Sequence, residues 1–164
     1  VATADWTLAV NLSAQEFRHA DFVSRMQDIL RDTGARADRL KLELTETLML
    51  DEVEDSIAKM QVLRGWGIQF SLDDFGTGLS SFAYLKNFKV NYLKIDGSFV
   101  RNIVNDPVDE IIVDSIAQIS TLLDLETVAE YVENDAILTV IKKIGIDYAQ
   151  GYGIEKPFPL EALH

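Results

Sequence analysis

Six short β-prone segments alternate with helical ones along the 164 residues, and this alternation limits the fold more than any single motif does. Trp6–Val10 reads as a first strand ending at Asn11, followed by Leu40–Thr45, Ile68–Leu72, Asn91–Ile95, Glu126–Ala129 and Ile146–Ala149. Between them the apolar spacing changes to that of helices. Ser13 and Asp21 are placed to cap segments that end by Gly34. Asp51–Arg64 carries Val53, Ile57, Met60 and Leu63 at helical intervals, and Gly65 and Gly67 close it. A short helix is expected near Ser81–Asn87. The longest one follows Asp106-Pro107, an N-cap and N1 pair, with Val108, Ile111, Ile112, Ser115, Ile116, Ile119, Leu122 and Leu123 as its expected stripe. Asn134–Ile144 is the last helix, and Pro157 and Pro159 mark a turn after it.

Strands joined in series by helical crossovers build a parallel sheet. The expected class is α/β, a TIM-like (β/α)8 barrel represented here by about six β–α units, read as a single domain over residues 1–164. The alternative is an open doubly wound sheet. That fold usually opens on a Gly-rich dinucleotide turn, and Asn11-Leu12-Ser13 is not one.

The net charge of −12 works against sequence-independent binding of DNA or RNA, since such a surface repels polyphosphate. Cysteine is absent and the two histidines, His19 and His164, stand in unrelated places, so thiolate and His-rich metal sites are excluded. No apolar run is long enough to span a bilayer, and no membrane contact is expected from this segment.

The chemistry collects at the strand ends. Asn11, Glu43, Asp73, Lys94, Glu130 and Gln150 each stand at or near the C-terminal end of an expected strand, and Asp74 adds a further carboxylate. In a barrel these ends converge on the face that holds catalytic groups. Clustered carboxylates repel unless cations neutralise them, and an all-oxygen donor set suits Mg²⁺ or Mn²⁺. Each residue has an ordinary explanation: an amide caps a helix, a lysine is solvated, a Gln-Gly pair makes a turn. Those explanations would have to hold separately at six successive strand ends. Asp73-Asp74-Phe75-Gly76-Thr77-Gly78, with Ser80 and Ser81, adds a flexible Gly/Ser loop suited to holding a cation against a phosphate.

With these residues in place the sequence resembles the EAL-domain family of cyclic di-GMP phosphodiesterases. The matches are Asn11-Leu12-Ser13, Glu43-Leu44-Thr45-Glu46, Asp73-Asp74-Phe75-Gly76-Thr77-Gly78 with Ser80-Ser81, Leu93-Lys94-Ile95-Asp96, Val128-Ala129-Glu130, and Gln150-Gly151-Tyr152 with Pro157 and Pro159. They follow the family's order and cover essentially the whole chain.

The resemblance implies metal-dependent hydrolysis of cyclic di-GMP to linear pGpG with two Mg²⁺ or Mn²⁺ ions. Asn11, Glu43, Asp73 and Glu130 look like ligands of one ion. Asp73 bridges to a second that Asp74 helps to hold. Lys94 contacts the attacking water, and Gln150 is a ligand or positions water. Ser80, Ser81 and Pro157 would contact substrate. Glu46 and Glu133 would support the site, Glu133 by anchoring the loop after Asp74. The same resemblance implies a homodimer through that loop and the helix after Asp106, a cytoplasmic bacterial domain, and regulatory domains elsewhere in a parent chain open to membrane anchoring through upstream segments. A non-catalytic cyclic di-GMP-binding or protein-interaction module is the alternative.

Two departures stand out. Where the family commonly has Ala-Glu-Gly-Val-Glu, this chain has Ala129-Glu130-Tyr131-Val132-Glu133, and tyrosine tolerates positive φ poorly, so an altered turn is expected. The Glu-Ala-Leu signature belongs on a strand before Asn11, so the chain is expected to lack the first strands of the domain, and activity is expected of the complete domain rather than of this segment alone. Glu161-Ala162-Leu163 spells the same tripeptide after the last strand, in the wrong order, and reads as the start of a surface helix.

Overall fold

The computed structural model describes residues 6–45, 53–76 and 85–159. The chain divides into two compact units, Val1–Tyr92 and Leu93–His164.

In the first unit β1 (Leu8–Leu12), β2 (Leu40–Thr45) and β3 (Gln69–Phe75) lie parallel in chain order. The register pairs Val10 with Leu42 and Leu42 with Phe70, and it pairs Asn11 with Glu43 and Glu43 with Ser71. Side chains alternate between faces along a strand. One face of the sheet is therefore apolar, with Leu42, Leu44, Phe70 and Leu72 all buried. Asn11, Glu43, Ser71 and Asp73 share the other. β2 has the expected bounds. β3 runs three residues past the expected end at Leu72 and closes on buried Phe75.

The helices of this unit are α1 (Ala14–Arg18), α2 (Phe22–Thr33) and α3 (Val53–Gly65). Ser13 and Glu16 close a capping box on α1, and the hydrogen bond from the Ser13 hydroxyl holds the Glu16 carboxyl below its ordinary range. Gly34 ends α2 in the left-handed conformation at φ 67. Phe17 in α1 is fully buried and meets Phe22 and Phe70 edge to face. Lys59 of α3 reaches the same place. Its Nζ donates to the carbonyls of Phe17 and Arg18, each at 3.0 Å, and pairs with Asp55 at 2.7 Å. The ammonium thus closes the C-terminal end of α1, where carbonyls lack helical partners. At the start of β3, Asn91 donates its N–H to the Phe70 carbonyl at 2.8 Å and accepts the Phe70 N–H on its side-chain oxygen at 3.0 Å.

The second unit holds β5 (Glu126–Ala129), β6 (Tyr148–Ala149) and most of β4 (Tyr92–Ile95), with α4 (Gly97–Val100), α5 (Pro107–Leu122) and α6 (Asp135–Ile144). β5 and β6 pair in parallel, with Val128 opposite Tyr148. The Asp147 carboxylate accepts from the Thr127 N–H and hydroxyl at 2.7 and 2.8 Å, fixing that register. Each helix opens on its own cap: Asp96 accepts from Ser98, Asp106 from Val108 and Asn134 from Ile137.

The long helix α5 differs from the expected stripe. Its packed side is Val113, Ile116, Ala117 and Ser120, whereas Val108, Ile111 and Leu122 are 62%, 65% and 84% exposed. The helix is apolar on more than one side, and the side carrying small residues packs against α4, β5 and α6. The expected helix near Ser81–Asn87 falls largely outside the described residues, as does Glu161-Ala162-Leu163. Among the described residues no helix is long and apolar enough to cross a membrane.

Lys59→Met keeps the buried stem and removes the charge-assisted bonds to α1. It is expected to lower unfolding free energy by about 2 kcal/mol, measured by urea denaturation.

Candidate metal and catalytic centre

In the first unit the parallel register brings Asn11 beside Glu43, and Thr45 beside Asp73. Residues paired in register, or two apart on one strand, share a face, so Asn11, Glu43 and Asp73 project from the same side of the sheet. Asp73 is half-buried and Asp74 exposed. Asp74 adopts φ 55, a left-handed conformation that aspartate tolerates better than most side chains, and its carboxylate lies within 4.8 Å of that of Asp73. Ser71, one step below Asp73 on that face, has a buried hydroxyl with no hydrogen-bond partner among the described residues.

In the second unit Lys94 is the last residue but one of β4 and Glu130 directly follows β5. Lys94 Nζ lies 2.8 Å from Glu130 Oε1, with the two side chains only 7% and 12% exposed. This answers the ordinary explanation for Lys94: the ammonium is buried, not solvated. The pair is brought together by the strand ends, since the Glu130 N–H donates to the Ile95 carbonyl at 3.3 Å.

Gln150 stands beyond β6. Its N–H donates to the Ala129 carbonyl at 2.8 Å and its carbonyl accepts from Val132 at 3.0 Å. Gly153 then donates to Val132 at 2.8 Å, stitching the 150–153 segment to the loop after β5. Two glycines make the approach possible. A Cβ on Gly151 would lie 2.5 Å from the Val132 carbonyl oxygen, and one on Gly153 would lie 2.6 Å from the Glu133 carbonyl carbon. Together the segments wall a pocket of about 330 Å³ lined by Glu130, Tyr131, Glu133, Gln150, Gly151 and Tyr152.

The expected change of turn at Tyr131 is not forced by the tyrosine. Tyr131 itself takes φ 53, the region usually left to glycine. Tyr152 stands in the Gln150-Gly151-Tyr152 match without an expected role, and Arg101, whose guanidinium lies 3.9 Å from the Tyr131 ring centroid, carries no sequence signal. Tyr152 directly follows Gln150-Gly151, so its place in the pocket was within reach of the strand-end argument. Arg101 owes its place to tertiary packing alone. Pro157 is exposed and does not line the pocket. Glu46, Ser80 and Ser81 lie outside the described residues, as does most of the loop that Glu133 was expected to anchor.

Carboxylates and amides make up the donor groups at these strand ends, the set that hard divalent ions such as Mg²⁺ or Mn²⁺ accept. A buried serine hydroxyl still lacking a partner beside that set suits an ion's hydration shell.

A family model described as the EAL domain matches residues 2–157. The chain is 43% identical over 152 residues to the cyclic di-GMP phosphodiesterase PdeF of Escherichia coli K12, covering 93% of this chain and 20% of PdeF. Among solved structures, the PaMucR phosphodiesterase in complex with c-di-GMP superposes with a TM-score of 0.92 at 36% identity, over 99% of this chain and 66% of that one. BlrP1 of Klebsiella pneumoniae, solved as a manganese/cy-diGMP complex, gives a TM-score of 0.81 at 31% identity, covering 89% of this chain and 38% of BlrP1. The chain thus spans about a fifth of the length of its curated relative. The fold class is the expected one: α/β with six strands of a TIM-like barrel in parallel, rather than the open doubly wound alternative.

Gly151→Ala is expected to pry the two stitched segments apart and to cost about 1–3 kcal/mol of stability, measured as a lowered thermal unfolding midpoint.

Proposed function

Because the chain belongs to the EAL-domain family, we propose that it serves the metal-dependent hydrolysis of cyclic di-GMP to linear pGpG. One observation carries this reading beyond family likeness: Lys94 and Glu130 form a buried ion pair at successive strand ends. A charged pair withdrawn from water contributes little net stability, so its retention points to chemistry.

In this reading Asn11, Glu43, Asp73 and Glu130 would hold one Mg²⁺ or Mn²⁺ ion, Asp73 and Asp74 would help to hold a second, and Gln150 would bind or orient water. When bound, the ions would supply Lewis-acid stabilisation of the phosphodiester and a water acidic enough to attack at neutral pH. The protein's own groups do the rest. Lys94, held by Glu130, contacts the attacking water; the water oxygen bonds to phosphorus as the P–O3′ bond opposite it breaks, and the proton the water gives up is balanced by the one taken up by the departing 3′-oxygen. Glu46 and Glu133 support the ligands, and Ser80, Ser81 and Pro157 contact the substrate. The domain works in the cytoplasm under regulatory domains elsewhere in its parent chain.

The exposed apolar side of α5 is the contact between two copies in a homodimer. Val108 and Ile111 in its first turns and Leu122 at its end are exposed apolar side chains available to such a contact.

The full-length protein, supplied with Mg²⁺ or Mn²⁺, is expected to convert cyclic di-GMP to pGpG, with the product identified by chromatography. Lys94→Ala should lower kcat by roughly 10²–10⁴-fold. Asp73→Ala should abolish turnover. An inert wild type that still binds cyclic di-GMP tightly would favour the non-catalytic module instead.

Ile111→Lys should shift the protein from dimer to monomer in sedimentation velocity. An unchanged sedimentation coefficient would remove α5 from the interface.

A further inference from the structure

We propose that Tyr131 is a positioning residue: it locks the loop after β5 onto the turn between β4 and α4 and so holds the Lys94–Glu130 pair in its reactive geometry. The proposal rests on the phosphodiesterase reading above for its consequence, and on packing for its substance.

Tyr131 occupies a conformation that is costly for a side chain with a Cβ, so something must repay the strain. Its ring is packed against Gly97. A Cβ at Gly97 would stand 2.6 Å from the ring's Cγ and 2.9 Å from the tyrosine Cβ, closer than real atoms approach. Gly97 is buried and not in a positive-φ conformation, so the ring, not the backbone, requires a glycine there. The Arg101 guanidinium lies 3.9 Å from the ring centroid. Residues 97 and 101 are one helical turn apart, so together they form a notch that receives the ring.

The notch is close to the reacting groups on both strands. Lys94 is three residues before Gly97, and Glu130 is the residue before Tyr131. Between these two turns the backbone contributes the Glu130 N–H to Ile95 carbonyl bond, which is long at 3.3 Å. The ring in its notch adds a lateral restraint beside this bond. The exposed part of the ring then forms one wall of the pocket beside Glu130.

The test uses the full-length protein and four substitutions. Tyr131→Phe keeps the ring. Tyr131→Gly and Tyr131→Asn accept the backbone conformation and remove it. Gly97→Ala fills the notch. Tyr131→Gly and Tyr131→Asn should each lower kcat by about 10–100-fold, as loss of a supporting group typically does, with KM nearly unchanged, and Tyr131→Phe should retain wild-type kcat. Mn²⁺ binding followed by calorimetry should weaken about 10–100-fold in Tyr131→Gly and hold in Tyr131→Phe. Gly97→Ala should lower the unfolding midpoint by several degrees in the wild type and much less in the Tyr131→Gly background. Full kcat in Tyr131→Gly, failure of Tyr131→Phe to match the wild type, or an equal penalty for Gly97→Ala in both backgrounds would overturn the proposal. An inert wild type would sink the phosphodiesterase reading instead, while the Mn²⁺ titration and the paired midpoints would still decide whether Tyr131 positions Glu130.

Discussion

Parallel register is the constraint from which the first unit follows. In-register residues on adjacent strands point the same way, so one choice of pairing sorts every side chain of β1, β2 and β3 at once. Leu42, Leu44, Phe70 and Leu72 make that choice, since all four must leave water together. Slipping a strand by one residue would exchange Leu42 for Glu43 or Leu72 for Asp73 on the apolar side. The row of Asn11, Glu43 and Asp73 is therefore held by the greasy residues between them, and burial of the core also aligns the polar face.

The second unit meets a harder demand, because it keeps two opposite charges almost wholly out of water. Removing one member of such a pair typically costs about 3–5 kcal/mol, because the other is left uncompensated. Lys94 and Glu130 therefore depend on the same backbone that carries them. Helix caps at Asp96, Asp106 and Asn134 define where each helix starts, and the glycines at 151 and 153 let one loop lie directly on another. The rigidity around Glu130 thus comes from short-range devices: caps, close approaches of glycine and a ring in a notch.

Much of this was legible in the residues. The bounds of β2 and β5 coincide with expectation because their alternation and flanking breakers are unambiguous. The caps at Ser13 and Asp106 match expectation because a side-chain oxygen before an apolar run has a local cause, whereas Asp21 stands at the N-cap of α2 without a side-chain cap hydrogen bond. The misreadings share a cause too. Periodicity could not say which side of α5 packs, since isoleucine and valine occur around it and the choice fell to small residues. The helix α4 was missed because Asp96-Gly97-Ser98 resembles a turn, and only Asp96 capping Ser98 reveals it as a helix start. Tyr131 broke a backbone rule, and the notch that offsets the violation comes from residues about thirty positions earlier. Sequence spacing does not display contacts of that kind.

Lys59 ties two elements of very unequal strength. Five residues are too few for α1 to persist as an isolated helix, because nucleation costs more than so short a ladder returns. Its last carbonyls are closed by an ammonium from a helix more than forty positions later in the chain. The helical state of α1 is consequently borrowed from α3. Slow amide exchange in residues 14–18 would report the integrity of a distant segment, and loosening of α3 would surface first as fraying next to β1, on the strand that carries Asn11.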